Sequence, residues 1–148
     1  MVGISFKKGT KKGGEKNEVA RMEVEMPKTE VVLFAEEDGS CPLIDWLDRL
    51  PLKARLKCIV RIERLGEMGH ELRRPEADIL RDRIFELRAA FESNQYRMLY
   101  FFIGKKAIIS HGLKKEAQVQ PGEIDLAIKR RERFKANPLA HVYKGEVS

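Results

Sequence analysis

Glu86 and Arg88 stand two residues apart in the run Ile84-Phe85-Glu86-Leu87-Arg88. In an extended strand alternate side chains share a face, so a carboxylate and a guanidinium point the same way. Arg97 follows at the start of the next apolar run, Tyr96–Ile103, and meets the first two if the strands pair tightly. His111 and then Lys114-Lys115 close a third run, Ala107–Leu113. The set offers cations, one carboxylate and one imidazole. It suits cleavage of an RNA phosphodiester, which needs no metal because the ribose 2′-OH is an internal nucleophile. Arginine forks match phosphate oxygens and stabilise charge building on them. Glu86 is the candidate proton acceptor, and His111 or Lys114 the candidate donor. Arg83, Lys105, Lys106 and Lys115 extend the basic surface as RNA contacts.

Each residue also has a plainer role open to it. Glu86 and Arg88 fit an ordinary surface ion pair. His111 fits a satisfied strand histidine, and Lys105-Lys106 a charged hairpin turn. Charge distribution alone leaves a phosphate-binding face and an ordinary solvated surface equally open. The net charge is +6, and residues 81–115 alone hold eight basic and three acidic side chains. A basic sheet surface attracts phosphates.

The elements that must position these groups are legible in outline. Val31–Ala35 reads as a first strand, ended by the turn-like Glu36-Glu37-Asp38-Gly39-Ser40. Pro42 opens a short helix to Asp48. Pro51–Met68 is the clearest helix, with Leu52, Leu56, Ile59, Ile62 and Leu65 as its inner stripe and Gly66 and Gly69 as its stop. Leu72–Leu80 reads as irregular. Three antiparallel strands follow, the first two joined by a loop Ala89–Gln95 and the last two by Gly104-Lys105-Lys106. A second amphipathic helix starts at Pro121 and stops at Asn137-Pro138. The class is α+β, a small antiparallel sheet with a mixed edge and helices packed on one face, leaving the Glu86 face open. Residues 1–28, glycine- and charge-rich, form a flexible extension in which only Met22–Met26 has strand-like alternation. Residues 29–137 form the domain, and 138–148 a loose tail.

Several classes of protein are excluded. The longest apolar runs fall far short of the roughly 20 residues of a membrane span. No secretory signal pattern precedes the domain, so the expected location is the cytoplasm. Two cysteines, Cys41 and Cys58, without a CxxC spacing or a nearby histidine, give neither a disulfide scaffold nor a zinc site. The common signatures of nucleotide binding, zinc proteolysis and serine hydrolysis do not occur. No cofactor or metal is expected.

The ordered pieces also resemble a known family. Glu86-Leu87-Arg88, Tyr96-Arg97, His111-Gly112-Leu113 with Lys114-Lys115, and Pro121 with Glu123-Ile124 and Ala127 are similar to the RelE/ParE superfamily of bacterial toxins, and within it to the phage-derived, HigB-like branch. Leu50-Pro51, Arg55, Lys57, Leu65-Gly66 and Gly69 fit upstream, so the resemblance spans about residues 30–136. It departs from the pattern at Leu113, where the branch usually has Phe, and in the 28-residue extension. The resemblance implies a RelE-like fold and the toxin of a type II toxin–antitoxin pair. It implies metal-independent cleavage of mRNA on the 70S ribosome, and neutralisation by an antitoxin in a hetero-oligomer. By carry-over, Arg88, Arg97 and Lys114 are the leading phosphate-binding and catalytic cations, with Glu86 and Lys115 next. Two alternatives remain: a ParE-like poison of gyrase, and a non-catalytic module that binds RNA or antitoxin.

Overall fold

A computed structural model describes residues 29–114 and 118–145. The expectations for the N-terminal extension and for Lys115 lie outside them. In chain order the elements are β1 (Glu30–Leu33), α1 (Pro42–Asp48), α2 (Leu52–Met68), β2 (Ala77–Ile79), β3 (Phe85–Phe91), β4 (Asn94–Ile103), β5 (Lys106–Lys114) and α3 (Pro121–Ala136). Short 3-10 turns cover Gly69–Glu71 and Pro138–His141. The sheet order is β1-β5-β4-β3-β2. Only β1 runs parallel to its neighbour, with Val31 opposite Ala107, so the α+β class and the mixed edge both hold.

Both faces of the sheet are buried against helices. On one, Val31, Leu33, Leu87, Tyr96, Met98 and Ile109 meet Leu43, Trp46 and Leu47 of α1 and Ala54, Cys58, Ile62 and Leu65 of α2. On the other, Val32, Leu99, Phe101 and Ile108 meet Ile124, Ala127 and Phe134 of α3. The expected single helical layer therefore holds for α1 and α2 but not for α3. An apolar-both-sides strand such as Met98–Phe101 requires two covers. Helix α3 lies over β4 and β5, so the same face stays open towards β3 and β2.

Three local differences from the sequence expectation matter. The β3–β4 connection is a two-residue turn, Glu92-Ser93, with Glu92 at φ 59°, so the strands pair from Phe91↔Asn94 inward and the register is unambiguous. The inner face of α2 is Ala54, Cys58, Ile62 and Leu65, while Leu52 and Leu56 are 59% and 48% exposed. Small Ala54 and Cys58 let the helix sit close to the sheet, which rotates the leucines outward. Burial pushes the Cys58 thiol up to about 12 and the Cys41 thiol up to about 11, so neither is a nucleophile at neutral pH.

The third difference is a β-bulge. Leu99 pairs with His111 but Tyr100 pairs with Ile109, which leaves Ser110 as an extra residue on β5. Beyond it every side chain changes face. His111 and Leu113 turn towards α3, and Gly112 and Lys114 towards α1. Gly112 lies directly against the Trp46 ring, leaving no room for a Cβ. Within the expected loose tail, residues 138–143 are held against β1. Phe34 bridges Val142, the Tyr143 N–H donates to the Leu33 carbonyl, and His141 is buried with Nδ1 2.8 Å from the Ala35 carbonyl oxygen.

Candidate functional site

Strand pairing brings three of the candidate residues together. Arg88 and Arg97 are direct cross-strand partners, and Glu86 sits two residues along β3 on the same face. Glu86 is only 2% exposed and lies between the two arginines. Its Oε1 accepts from Arg97 at 2.8 Å, and its Oε2 accepts from Arg88 Nε at 2.9 Å. Without that carboxylate, two guanidinium groups on paired strands would repel. With it, they are held side by side, 30% and 15% exposed, at the edge of the area that α3 leaves open. Arg97 Nε has no hydrogen-bond partner among the described residues.

Further residues support this pair, and sequence reasoning missed them. Asp78 of β2 is opposite Glu86 in register and accepts from Arg88 at 3.2 Å and from Arg74 at 2.9 Å. Burial raises the Asp78 carboxyl, but the Ile79 N–H, Arg74 and Arg88 outweigh it and hold the group below the usual carboxylate range. Arg61 of α2 donates to the Arg88 carbonyl at 2.8 Å and to Glu76 at 3.2 Å, which fixes the β3 backbone against the helix. Glu76 is shared with Arg64; that bond lowers its pKa despite partial burial. The signal for Asp78 was weak, because β2 is only three residues long.

The other candidates lie elsewhere. The bulge at Ser110 places Lys114 opposite Tyr96, on the α1 side of the sheet, not with Arg88 and Arg97. Lys105 and Lys106 form the β4–β5 turn and its exit, about 20 Å along β4 from Arg97. Arg83 is exposed just before β3 at φ 61°. The expected three-strand convergence of cations is thus an arginine pair with a buried carboxylate, and the outlying lysines belong to other surfaces.

His111 shares a face with Arg97 but is buried beneath α3. Both ring nitrogens are engaged, Nδ1 with Ser110 Oγ and Nε2 with Glu123 Oε1, each at 2.8 Å. The set resembles a nucleophilic triad in its connections only, since Ser110 is fully buried. It ties β5 to the first turn of α3. At the other end of α3, Arg130 and Arg133 both bind Glu36, at 3.2 and 2.9 Å. Burial lowers the His111 pKa, and Glu123 only partly offsets this. An unfolded histidine takes up its proton near pH 6.5, the folded His111 only at lower pH. Between those two values the unfolded chain binds more protons, so stability falls as pH drops. Melting measured between about pH 7.5 and 5.5 should show this slope, and His111→Gln should flatten it. An unchanged slope in the variant would assign it to other groups.

A family model, the phage-derived protein Gp49-like (DUF891) model, matches residues 45–132. The chain belongs to the Gp49-like family. Its match runs from within α1 through most of α3 and so includes the arginine pair and every strand but β1. The Gp49-like family is toxin-like and occurs in toxin–antitoxin contexts, and membership implies an antitoxin partner. No curated protein matches the chain. No helix among the described residues is long and apolar enough to cross a membrane.

Proposed function

We propose that this Gp49-like protein is the toxin of a type II toxin–antitoxin pair, of the RelE/ParE superfamily and its HigB-like branch, and a metal-independent endoribonuclease that cuts mRNA on the ribosome. The observation that carries the proposal is the Arg88–Glu86–Arg97 bridge. It holds two partly exposed guanidinium groups side by side on one face of the sheet. In the reaction the ribose 2′-hydroxyl gives up its proton as its oxygen bonds to phosphorus, and the bond to the 5′-oxygen breaks as that oxygen takes up a proton, leaving a 2′,3′-cyclic phosphate and a 5′-hydroxyl. The arginines neutralise the phosphorane oxygens as charge develops. Glu86, with both oxygens bound to arginines, acts as a positioning residue and not as the base. His111, held at both nitrogens, positions α3.

The same observation supports a second reading, in which the pair binds RNA phosphate without cutting. Both are tested by expressing the protein without its antitoxin and mapping mRNA ends, then incubating purified protein with translating ribosomes. Cuts at ribosome-occupied codons bearing 2′,3′-cyclic phosphate ends support the nuclease. Salt-sensitive RNA binding with intact message supports the binding module. Growth arrest with DNA-damage signalling and intact message would instead indicate a gyrase poison.

A further inference from the structure

Helix α2 carries an apolar row on the side that faces away from the sheet. Leu52, Leu56 and Val60, four residues apart, are 59%, 48% and 50% exposed. Residues i and i+4 are neighbours along a helix surface, so the three form one stripe about two turns long. None of them holds α2 on the sheet, because Ala54, Cys58, Ile62 and Leu65 do that. At helical spacing the same face continues into Glu63 and Glu67, and Lys53 and Lys57 flank its N-terminal half. The outer face therefore begins apolar and basic and ends acidic.

That order is the reverse of what the helix itself favours. The helix dipole favours carboxylates in the first turn and cations in the last. Helix α2 has no acidic residue in its first turn, no basic residue in its last turn and no side-chain cap at Pro51. Its other charges do not correct this. Arg61 and Arg64 bind Glu76, Glu67 lies 3.6 Å from Arg64, and Arg55 lies on the opposite flank, half-buried. Lys53, Lys57 and Glu63 have no ion pair among the described residues. A uniformly acidic partner would meet the lysines but oppose Glu63 and Glu67, and a parallel copy would set like charge on like. An antiparallel copy of the same helix relieves everything at once. Its dipole opposes the first, its acidic end meets the basic end, and stripe covers stripe.

We infer that the chain forms a twofold-symmetric dimer through the outer face of α2, with the two helices antiparallel. With the axis level with Cys58, Leu56 of each copy stands at the height of Val60 of the other, and Lys53 at the height of Glu63. Each contact occurs twice, across an interaxial distance of about 8–10 Å. One helix pair is a small interface, so the dimer belongs with the weak, exchanging class and dissociates on dilution. The face lies on the opposite side of the sheet from the guanidinium pair, and the inference does not depend on what that pair does.

The test is sedimentation of the full chain over a dilution series, in which the parent should pass from dimer to monomer. Leu56→Asp should weaken the dimer at least about thirtyfold, the loss that marks an interface hot spot. Lys53→Glu sets carboxylate against carboxylate at both contacts, and Glu63→Lys sets ammonium against ammonium. Each alone should weaken self-association about tenfold. Mixed one to one, the two charge variants regain opposite charges at both contacts and should associate like the parent. All three changes lie outside the core, so each variant should stay folded, which melting checks. A parent that is monomeric at every concentration overturns the inference. So does a dimer that Leu56→Asp leaves intact. A mixture of the charge variants that associates no better than either alone overturns the antiparallel pairing and the inference with it.

Discussion

Arg97→Ala is expected to lower ribosome-dependent mRNA cleavage by at least about a hundredfold, the usual cost of removing one preorganised donor from a developing oxyanion. The effect is large because Arg97 is placed rather than merely present. Its side chain is mostly buried, one nitrogen is fixed on Glu86, and its partner across the strand pair is Arg88. Loss of the fork also removes a phosphate contact in the ground state, so RNA binding should weaken along with turnover. Arg97→Lys separates charge from geometry. A lysine keeps the charge but cannot bind Glu86 and a phosphate through one planar group, so it should recover only part of the activity. Because the alanine variant also leaves Glu86 with Arg88 alone, cleavage must be compared per folded molecule, with melting measured beside it. Folded Arg97→Ala protein that cuts like the parent would remove the arginine pair from the site.

How much of this arrangement the sequence reveals differs from strand to strand. Alternation in Phe85–Arg88 places Glu86 and Arg88 on one face, and the structure agrees, because alternation is a direct consequence of strand geometry. The pairing of Arg97 with Arg88 depends on the length of the turn between β3 and β4. Glu92-Ser93 resembles a longer polar loop in sequence, since Glu92 is not a residue normally found at positive φ. Lys114 departs from its expected face for a different reason. One extra residue at Ser110 inverts the face of everything after it, and nothing in Ala107–Leu113 marks that position, because its residues are buried on both faces. The α2 stripe shows a similar limit. Leu52 and Leu56 have the helical spacing of core residues, and only the packing of Ala54 and Cys58 against the sheet reveals that they face outward. Spacing shows which residues share a face but not which face meets the core.

Glu86→Ala is expected to destabilise the fold by about 3 kcal/mol, at the lower end of the range for removing one partner of a buried ion pair. The carboxylate is almost wholly buried and both oxygens accept from guanidinium groups. Its loss affects the two arginines unequally. Arg88 keeps Asp78 at 3.2 Å and is the more exposed, so water and one carboxylate still screen it. Arg97 is left 15% exposed with no other ion pair among the described residues, and most of the cost falls there. For a domain of this size the loss corresponds to a fall in Tm of roughly 10 °C. Glu86→Gln should cost less, because an amide oxygen can still accept from one arginine while the charge is lost. The double variant Glu86→Leu with Arg97→Met should regain much of the stability, since an apolar pair leaves no buried charge uncompensated, and should have no cleavage activity. That opposition of stability and activity follows if Glu86 is there to hold Arg97 in place. If Glu86→Ala melts like the parent, the bridge does not position the pair, and the case for a preorganised phosphate clamp fails with it.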